Sequence, residues 1–167
     1  MGDRGRGIVP GGSHYAAVSV VLDPGARRVL IVKRTESPGD PWSGDWALPG
    51  GRMEPSDADL RQTAIRETME ETGIRLDADA EQLLELDFFS PSNAPWILVK
   101  PFVFRLLRDV EVRLSGELVR YAWVPLEGLR ASRDAMGRPE FLLEDGERIW
   151  GMTARILLEV KARLGAP

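Results

Sequence analysis

Two short stretches decide the reading of this chain: Leu48-Pro49-Gly50-Gly51, and then Arg66-Glu67-Thr68-Met69-Glu70-Glu71-Thr72-Gly73-Ile74. Between and through them, Asp57 to Thr72 is predicted to form a helix ended by Gly73, a residue suited to the left-handed position after a helix. At about 100° per residue, Glu70 lies about 60° to one side of Glu67 and Glu71 about 40° to the other. The three carboxylates therefore project from one arc. Like charges four residues apart destabilise a helix by a few tenths of a kcal/mol, and glutamates in the last turns oppose the helix dipole. A solvated acidic face explains such a helix by itself, but it leaves the crowding and the adjacent Gly-Gly unexplained. A divalent cation with oxygen ligands accounts for both. Gly50 and Gly51 would let a backbone carbonyl approach the same ion, although a tight turn explains the two glycines equally well.

Composition narrows the chemistry. The 167 residues contain no Cys and a single His, His14. That excludes disulfides, thiolate nucleophiles and multi-histidine metal sites, so in an enzyme carboxylates and hard metals must carry most of the chemistry. With 22 Lys+Arg against 26 Asp+Glu the net charge is −4, which argues against broad binding to nucleic acid or to anionic membrane. The apolar stretch Ala16–Leu22 is too short to span a bilayer, and no basic segment feeds it as in a signal peptide. A cytoplasmic protein is the expectation. Residues 1–13, rich in Gly and Arg, are expected to be a flexible arm, with residues 14–167 a single domain.

Working outward, Ala16–Leu22 and Val29–Lys33 read as two strands joined by Asp23-Pro24-Gly25. Thr35 to Gly51 reads mainly as loop. Leu83–Phe89 and Ile97–Leu107 are predicted strands split by Ser90-Pro91-Ser92-Asn93-Ala94-Pro95, and Tyr121–Val124 is a short strand stopped by Pro125. Ile149, Met152, Ile156, Val160 and Leu164 trace a helical stripe from Ile149 to Leu164. The class is mixed α and β.

The segment 48–74 resembles the Nudix box of the Nudix hydrolases, G-x5-E-x7-R-E-U-x-E-E-x-G-U, where U is aliphatic. Arg66, Glu67, Glu70, Glu71, Gly73 and Ile74 match it, with Thr68 at the first U. Asp57 stands where the family has Glu, and eight residues rather than seven separate it from Arg66. An Asp-Ala-Asp after the Gly-Gly, with one added residue, is similar to the coenzyme A diphosphatase branch. So are Trp42 to Gly51, with Trp42 in place of the branch's usual His, and Arg148-Ile149-Trp150-Gly151-Met152-Thr153-Ala154-Arg155-Ile156-Leu157.

The resemblance implies an α/β/α sandwich with a mixed sheet between the box helix and the C-terminal helix. It implies hydrolysis of a pyrophosphate bond in a nucleoside diphosphate linked to another moiety, with Mg²⁺, or Mn²⁺ in its place, held by Glu67, Glu70, Glu71 and the Gly51 carbonyl. Coenzyme A or an acyl-CoA is the leading substrate, giving 3′,5′-ADP and 4′-phosphopantetheine. ADP-ribose, another nucleoside diphosphate sugar or a nucleoside triphosphate is the alternative, and a non-catalytic nucleotide-sensing module the alternative of another class. Either Glu67 or a later acid, Glu117, would act as the base. Asp57, paired with Arg66 in the family, joins Gly50 and Gly73 as a structural position. Arg34, at the end of the second strand, and Lys100 are candidates for phosphate contact. Trp42, Trp46 and Trp96 are candidates for stacking on a base, with anchoring of loops the competing reading. The partner is a small nucleotide, and a homodimer is compatible with the family.

Overall fold

The computed structural model describes residues 13–36, 38 and 44–165. The expected arm, apart from Ser13, and Trp42 lie outside the described residues. Strands β1 (Tyr15–Leu22) and β2 (Arg28–Arg34) form the expected antiparallel pair. Its turn is held by the Asp23 carboxylate, which accepts the backbone N–H groups of Arg27 at 2.8 Å and Arg28 at 3.0 Å, as Asx turns do. β1 then pairs in parallel with β6 (Leu98–Leu106) along its whole length, Tyr15 opposite Leu98 and Leu22 opposite Arg105. A strand buried on both faces needs a nearly continuous apolar run, and 16–22 supplies one.

The full sheet adds β3 (Trp46–Ala47), β4 (Gly50–Arg52), β5 (Ala80–Glu85) and β7 (Leu118–Pro125). The order is β3-β2-β1-β6-β5, with β4 also on β1 and β7 also on β2. Every pairing other than β1–β6 is antiparallel, so the sheet is mixed.

Strand alternation divides the core in two. Val20, Leu22, Val29 and Ile31 pack against α3 (Gly151–Leu164) through Ile156, Leu157 and Val160. Ala17, Val21, Leu30 and Val32 pack against α1 (Leu60–Thr72) through Ala64 and Ile65. The molecule is thus the expected α/β/α sandwich. Among the described residues no helix is long and apolar enough to cross a membrane.

Several boundaries differ from expectation. Helix α1 starts at Leu60, not Asp57: Asp59 is extended (φ −159°) and caps the helix by accepting the Gln62 N–H at 2.8 Å, while the Asp57 side chain is engaged elsewhere. The segment 35–51 contains β3 and the start of β4. β5 lies earlier than 83–89, leaving Phe89 as an isolated bridge to Val99. It is a terminal strand of the sheet, where charged residues such as Glu81 and Glu85 are tolerated and the apolar signal is weak. β7 extends the strand expected over 121–124. A one-turn helix, α2 (Leu76–Asp79), follows α1.

A second sheet of β8 (Ala131–Arg133), β9 (Pro139–Leu142) and β10 (Arg148–Trp150) was not expected. It buries Phe141 and Ile149 in the core beside α3. Ile149 is therefore a strand residue. The chain turns into α3 at Gly151, whose φ of +63° few other residues adopt at low cost.

Candidate active site

The site grows from the contact between β4 and α1. β4 lies on β1 with Gly51 opposite Ala17 and Gly50 opposite Val18, and it packs against the box helix where Glu67 projects. A Cβ at position 51 would fall 2.4 Å from the Glu67 Cδ and 2.6 and 2.8 Å from its oxygens. The backbone thus touches this carboxylate directly.

Arg66 organises the acids around it. Its Nε and Nη2 donate to the two Asp57 oxygens at 2.8 and 2.9 Å, and Nη2 also reaches the Arg52 carbonyl at 3.2 Å. Asp57 therefore pairs with Arg66 in a two-pronged bridge, and its side chain is only 4% exposed. The fork also holds the Asp57 carboxyl far below the usual carboxylate range, helped by the Glu54 N–H and the Thr63 hydroxyl. The remaining Nη1 donates to Glu67 Oε1 at 2.9 Å and to Glu70 at 3.3 Å.

Glu71 points the other way, into the protein, and is 8% exposed. Burial pushes its carboxyl up to about 8; the charges of Glu67 and Glu117 add to this, and the Gly50 N–H and the Arg34 charge oppose it. Glu67 is also raised, first by burial, with Arg66 working against it.

Glu117 reaches this neighbourhood because of the segment before β7. The Arg113 and Ser115 N–H groups donate to the Thr72 and Glu71 carbonyls at 2.8 and 2.9 Å. These satisfy carbonyls that a helix end leaves without partners. Gly73 (φ +75°) closes the same end through an N–H bond to the Met69 carbonyl at 2.9 Å. Thr35 N–H donates to the Glu117 carbonyl at 2.9 Å, tying the turn to the end of β2 beside Arg34.

A cleft of about 340 Å³ opens next to Gly50 and Gly51 and is lined also by Arg34. Its walls are mainly apolar, with Val18, Leu48, Ile97, Val99 and Met152 contributing. The loop after Phe89 forms one side through Pro91, Ser92 and Asn93, held by Arg155, which donates to the Ser90 carbonyl at 2.6 Å.

The structure does not gather all of the proposed substrate-binding residues here. Arg34 and Trp46 line the cleft, but Trp46 is 4% exposed and its ring is largely built into the core. Trp96 is 50% exposed and lies outside the cleft lining. Lys100 is also outside it, with Nζ 4.9 Å from the centre of the Phe88 ring. The cleft residue that sequence reasoning passed over is Trp150. Its signal was an aromatic residue immediately before the glycine that opens the last helix.

The donor set suits a hard divalent cation. All the side-chain donors are carboxylate oxygens, one of them is buried near a second, and Gly51 leaves room for a close backbone approach. Among the described residues no three acids already stand at ligand spacing. Arg66 engages both Glu67 and Glu70 through Nη1.

The family model of the NUDIX domain matches residues 13–144. The chain is 41% identical over 88 residues to the bis(5′-nucleosyl)-tetraphosphatase [asymmetrical] of Sus scrofa, an alignment covering 49% of this chain and 56% of that protein. It is 29% identical over 136 residues to the human mitochondrial coenzyme A diphosphatase NUDT8, covering 74% of this chain and 57% of that one. The chain thus spans little more than half the length of these two relatives. The crystal structure of a C. elegans Ap4A hydrolase binary complex matches with a TM-score of 0.56 at 27% identity, covering 67% of this chain and 80% of that one. With its family model matched from the first strand to the second sheet, this chain belongs to the NUDIX domain family.

Proposed function

We propose that the protein is a Mg²⁺-dependent pyrophosphohydrolase, with Mn²⁺ able to serve in place of Mg²⁺, that cuts a nucleoside diphosphate linked to a second moiety. The observation that carries this reading is the meeting of Glu67 and Glu71 beside Gly51, with the Arg34 charge acting on Glu71, at the edge of an apolar cleft. Glu70, Glu71 and the Gly51 carbonyl would hold the cation, with Glu67 either a further ligand or the base. Bound there, Mg²⁺ would offset the charge of the pyrophosphate and lower the pKa of water. Arg34 supplies a fixed positive charge for a phosphate oxygen. Glu67 or Glu117 takes the proton of the water that attacks phosphorus. A new P–O bond forms, the bridging P–O bond breaks, and the leaving phosphate carries away the electron pair. The apolar walls lower the local dielectric beside these charges and strengthen their interactions.

Coenzyme A or an acyl-CoA is the preferred substrate, giving 3′,5′-ADP and a 4′-phosphopantetheine species. The likeness to NUDT8, which extends over most of this chain, and the 148–157 segment support it. A second reading, a dinucleoside polyphosphate, rests on the higher identity to the pig tetraphosphatase. ADP-ribose is a further alternative. The complete set Glu67, Glu70 and Glu71 weighs against a non-catalytic sensor. Purified protein incubated with Mg²⁺ and each of coenzyme A, diadenosine tetraphosphate and ADP-ribose separates these readings by product. Release of 3′,5′-ADP is the expected result. Fast cleavage of another substrate with coenzyme A untouched overturns the substrate assignment, and no Mg²⁺-dependent cleavage of any overturns the activity.

A further inference from the structure

The cleft has two walls from distant parts of the chain, residues 45–48 around β3 and residues 150–153 at the start of α3. Two indole–carboxylate hydrogen bonds cross between these regions, and they run in opposite directions. Trp46 Nε1 donates to Glu147 Oε2 at 2.5 Å. Trp150 Nε1 donates to Asp45 Oδ1 at 3.3 Å. Each tryptophan therefore sits close in sequence to the acid that receives the other.

Glu147 is held from more than one side. Lys33, opposite Trp46 in the β2–β3 pairing, donates Nζ to the second Glu147 oxygen at 2.5 Å. The Arg120 guanidinium, carried on β7, lies 3.6 Å from Oε2 and 5.4 Å from the centre of the Trp46 ring. A carboxylate on the turn before β10 thus engages β2, β3 and β7 together. Those strands carry, or adjoin, Arg34 and the run into Gly50-Gly51.

Hydrolysis as described above gives Glu147 no chemical task. The width of an open cleft depends on what joins its walls, and directional bonds between them fix it most sharply. The two Trp–carboxylate bonds supply that direction.

We propose that the reciprocal pair Trp46–Glu147 and Trp150–Asp45 sets the spacing of the cleft walls and thereby which second moiety the site admits, with Glu147 as the positioning residue. This rests on the pyrophosphohydrolase reading.

The test uses the full chain and the same three substrates, with Glu147→Ala, Glu147→Gln, Trp46→Phe and the double variant Trp46→Phe/Glu147→Ala. Glutamine keeps an oxygen for the indole, whereas alanine removes it. Glu147→Ala and Trp46→Phe are each expected to raise KM for the preferred substrate about tenfold, with kcat within about threefold, and to shift the ratio of kcat/KM between substrates. The double variant is expected to be no worse than Glu147→Ala alone, because the indole bond that Trp46→Phe removes is already lost with the Glu147 carboxylate. Glu147→Gln is expected to recover part of the loss, and it serves as the working variant if the alanine protein folds poorly. Additive losses, an unchanged substrate ratio, or a fall in kcat alone would each overturn the inference while leaving the hydrolase reading intact. If the wild-type protein cleaves none of the three, that reading fails. The inference is then read from tryptophan-fluorescence titration with AMP and 3′,5′-ADP: a changed ratio of Kd values in Trp46→Phe and Glu147→Gln upholds it, and an unchanged ratio or no binding overturns it.

Discussion

Gly51 and the Glu67 carboxylate occupy adjoining space with no room for a methyl group between them: a Cβ at 51 would fall 2.4 Å from Glu67 Cδ. Either β4 or the carboxylate must move if position 51 gains a side chain. The opposite side of β4 is no freer, since the neighbouring Gly50 lies against the Ala17 carbonyl and the Val18 backbone.

Gly51→Ala is therefore expected to displace Glu67 and lower kcat/KM by about 10²-fold, the scale of an ångström of misplacement at a reacting centre. Affinity for Mg²⁺ should fall with it, and isothermal titration with the metal checks this separately. Activity within threefold of wild type would show that the contact has no bearing on the site.

Glu71→Gln separates stability from catalysis. Burial raises the Glu71 carboxyl to about 8, whereas an unfolded glutamate gives up its proton near pH 4. Between those values the folded state holds more protons than the unfolded one, so this group's contribution to stability falls as pH rises. Glutamine carries no charge to bury. In EDTA at pH 8 the variant should melt above wild type by several degrees, at ~2–4 °C per kcal/mol for a domain of this size. The gap should shrink at pH 5. Added Mg²⁺ should raise the wild-type Tm at pH 8 much more than that of the variant, and hydrolysis by the variant should fall by about 10³-fold.

Asp57 behaves in the reverse sense. Its carboxyl is held down by Arg66, so the stability it contributes is present above about pH 4, where an unfolded Asp ionises, and is lost as pH falls below that. Asp57→Asn should destabilise by about 3 kcal/mol at pH 7, the scale for breaking a buried ion pair. Urea melts at pH 7 and pH 3 check this: the two proteins should differ most at the first, and the difference should narrow at the second.

The box and the two layers around the sheet were legible in the sequence because their signals are local. Spacing along one helix placed the carboxylates, and nearly continuous apolar runs marked β1 and β2. Where the box departs from its family, the structure supplies partners. Thr68, at an aliphatic position, is fully buried and donates its hydroxyl to Ser19 on β1 at 2.8 Å, and Ser19 in turn donates to the Ala64 carbonyl at 3.3 Å. Such compensation is invisible until the strand and helix are brought together. The second sheet was not legible, since three- and four-residue strands carry too few residues to show a period and β9 opens with a proline. The cleft role of Trp150 depends on that sheet and was hidden with it. Lys100 and Trp96 looked like substrate contacts by residue type, but only their positions relative to β1 and to the 90–97 loop decide what they meet.

The choice of base between Glu67 and Glu117 follows from their surroundings. A base works best with a pKa near the working pH, and burial raises Glu67 toward that range. Glu67 also touches the Gly51 backbone at the centre of the acid group. Glu117 is exposed on a turn, and its negative charge reaches the site as one of the influences raising Glu71. Glu67→Gln is therefore expected to lower kcat by about 10²–10⁴-fold and to remove the acid limb of the pH profile. Glu117→Gln should change kcat by less than about tenfold and leave that limb in place, because the Glu117 charge acts on Glu71 and not on Glu67. The profile of kcat against pH for both variants decides between them. A loss of the larger size in Glu117→Gln alone would transfer the role of base to Glu117.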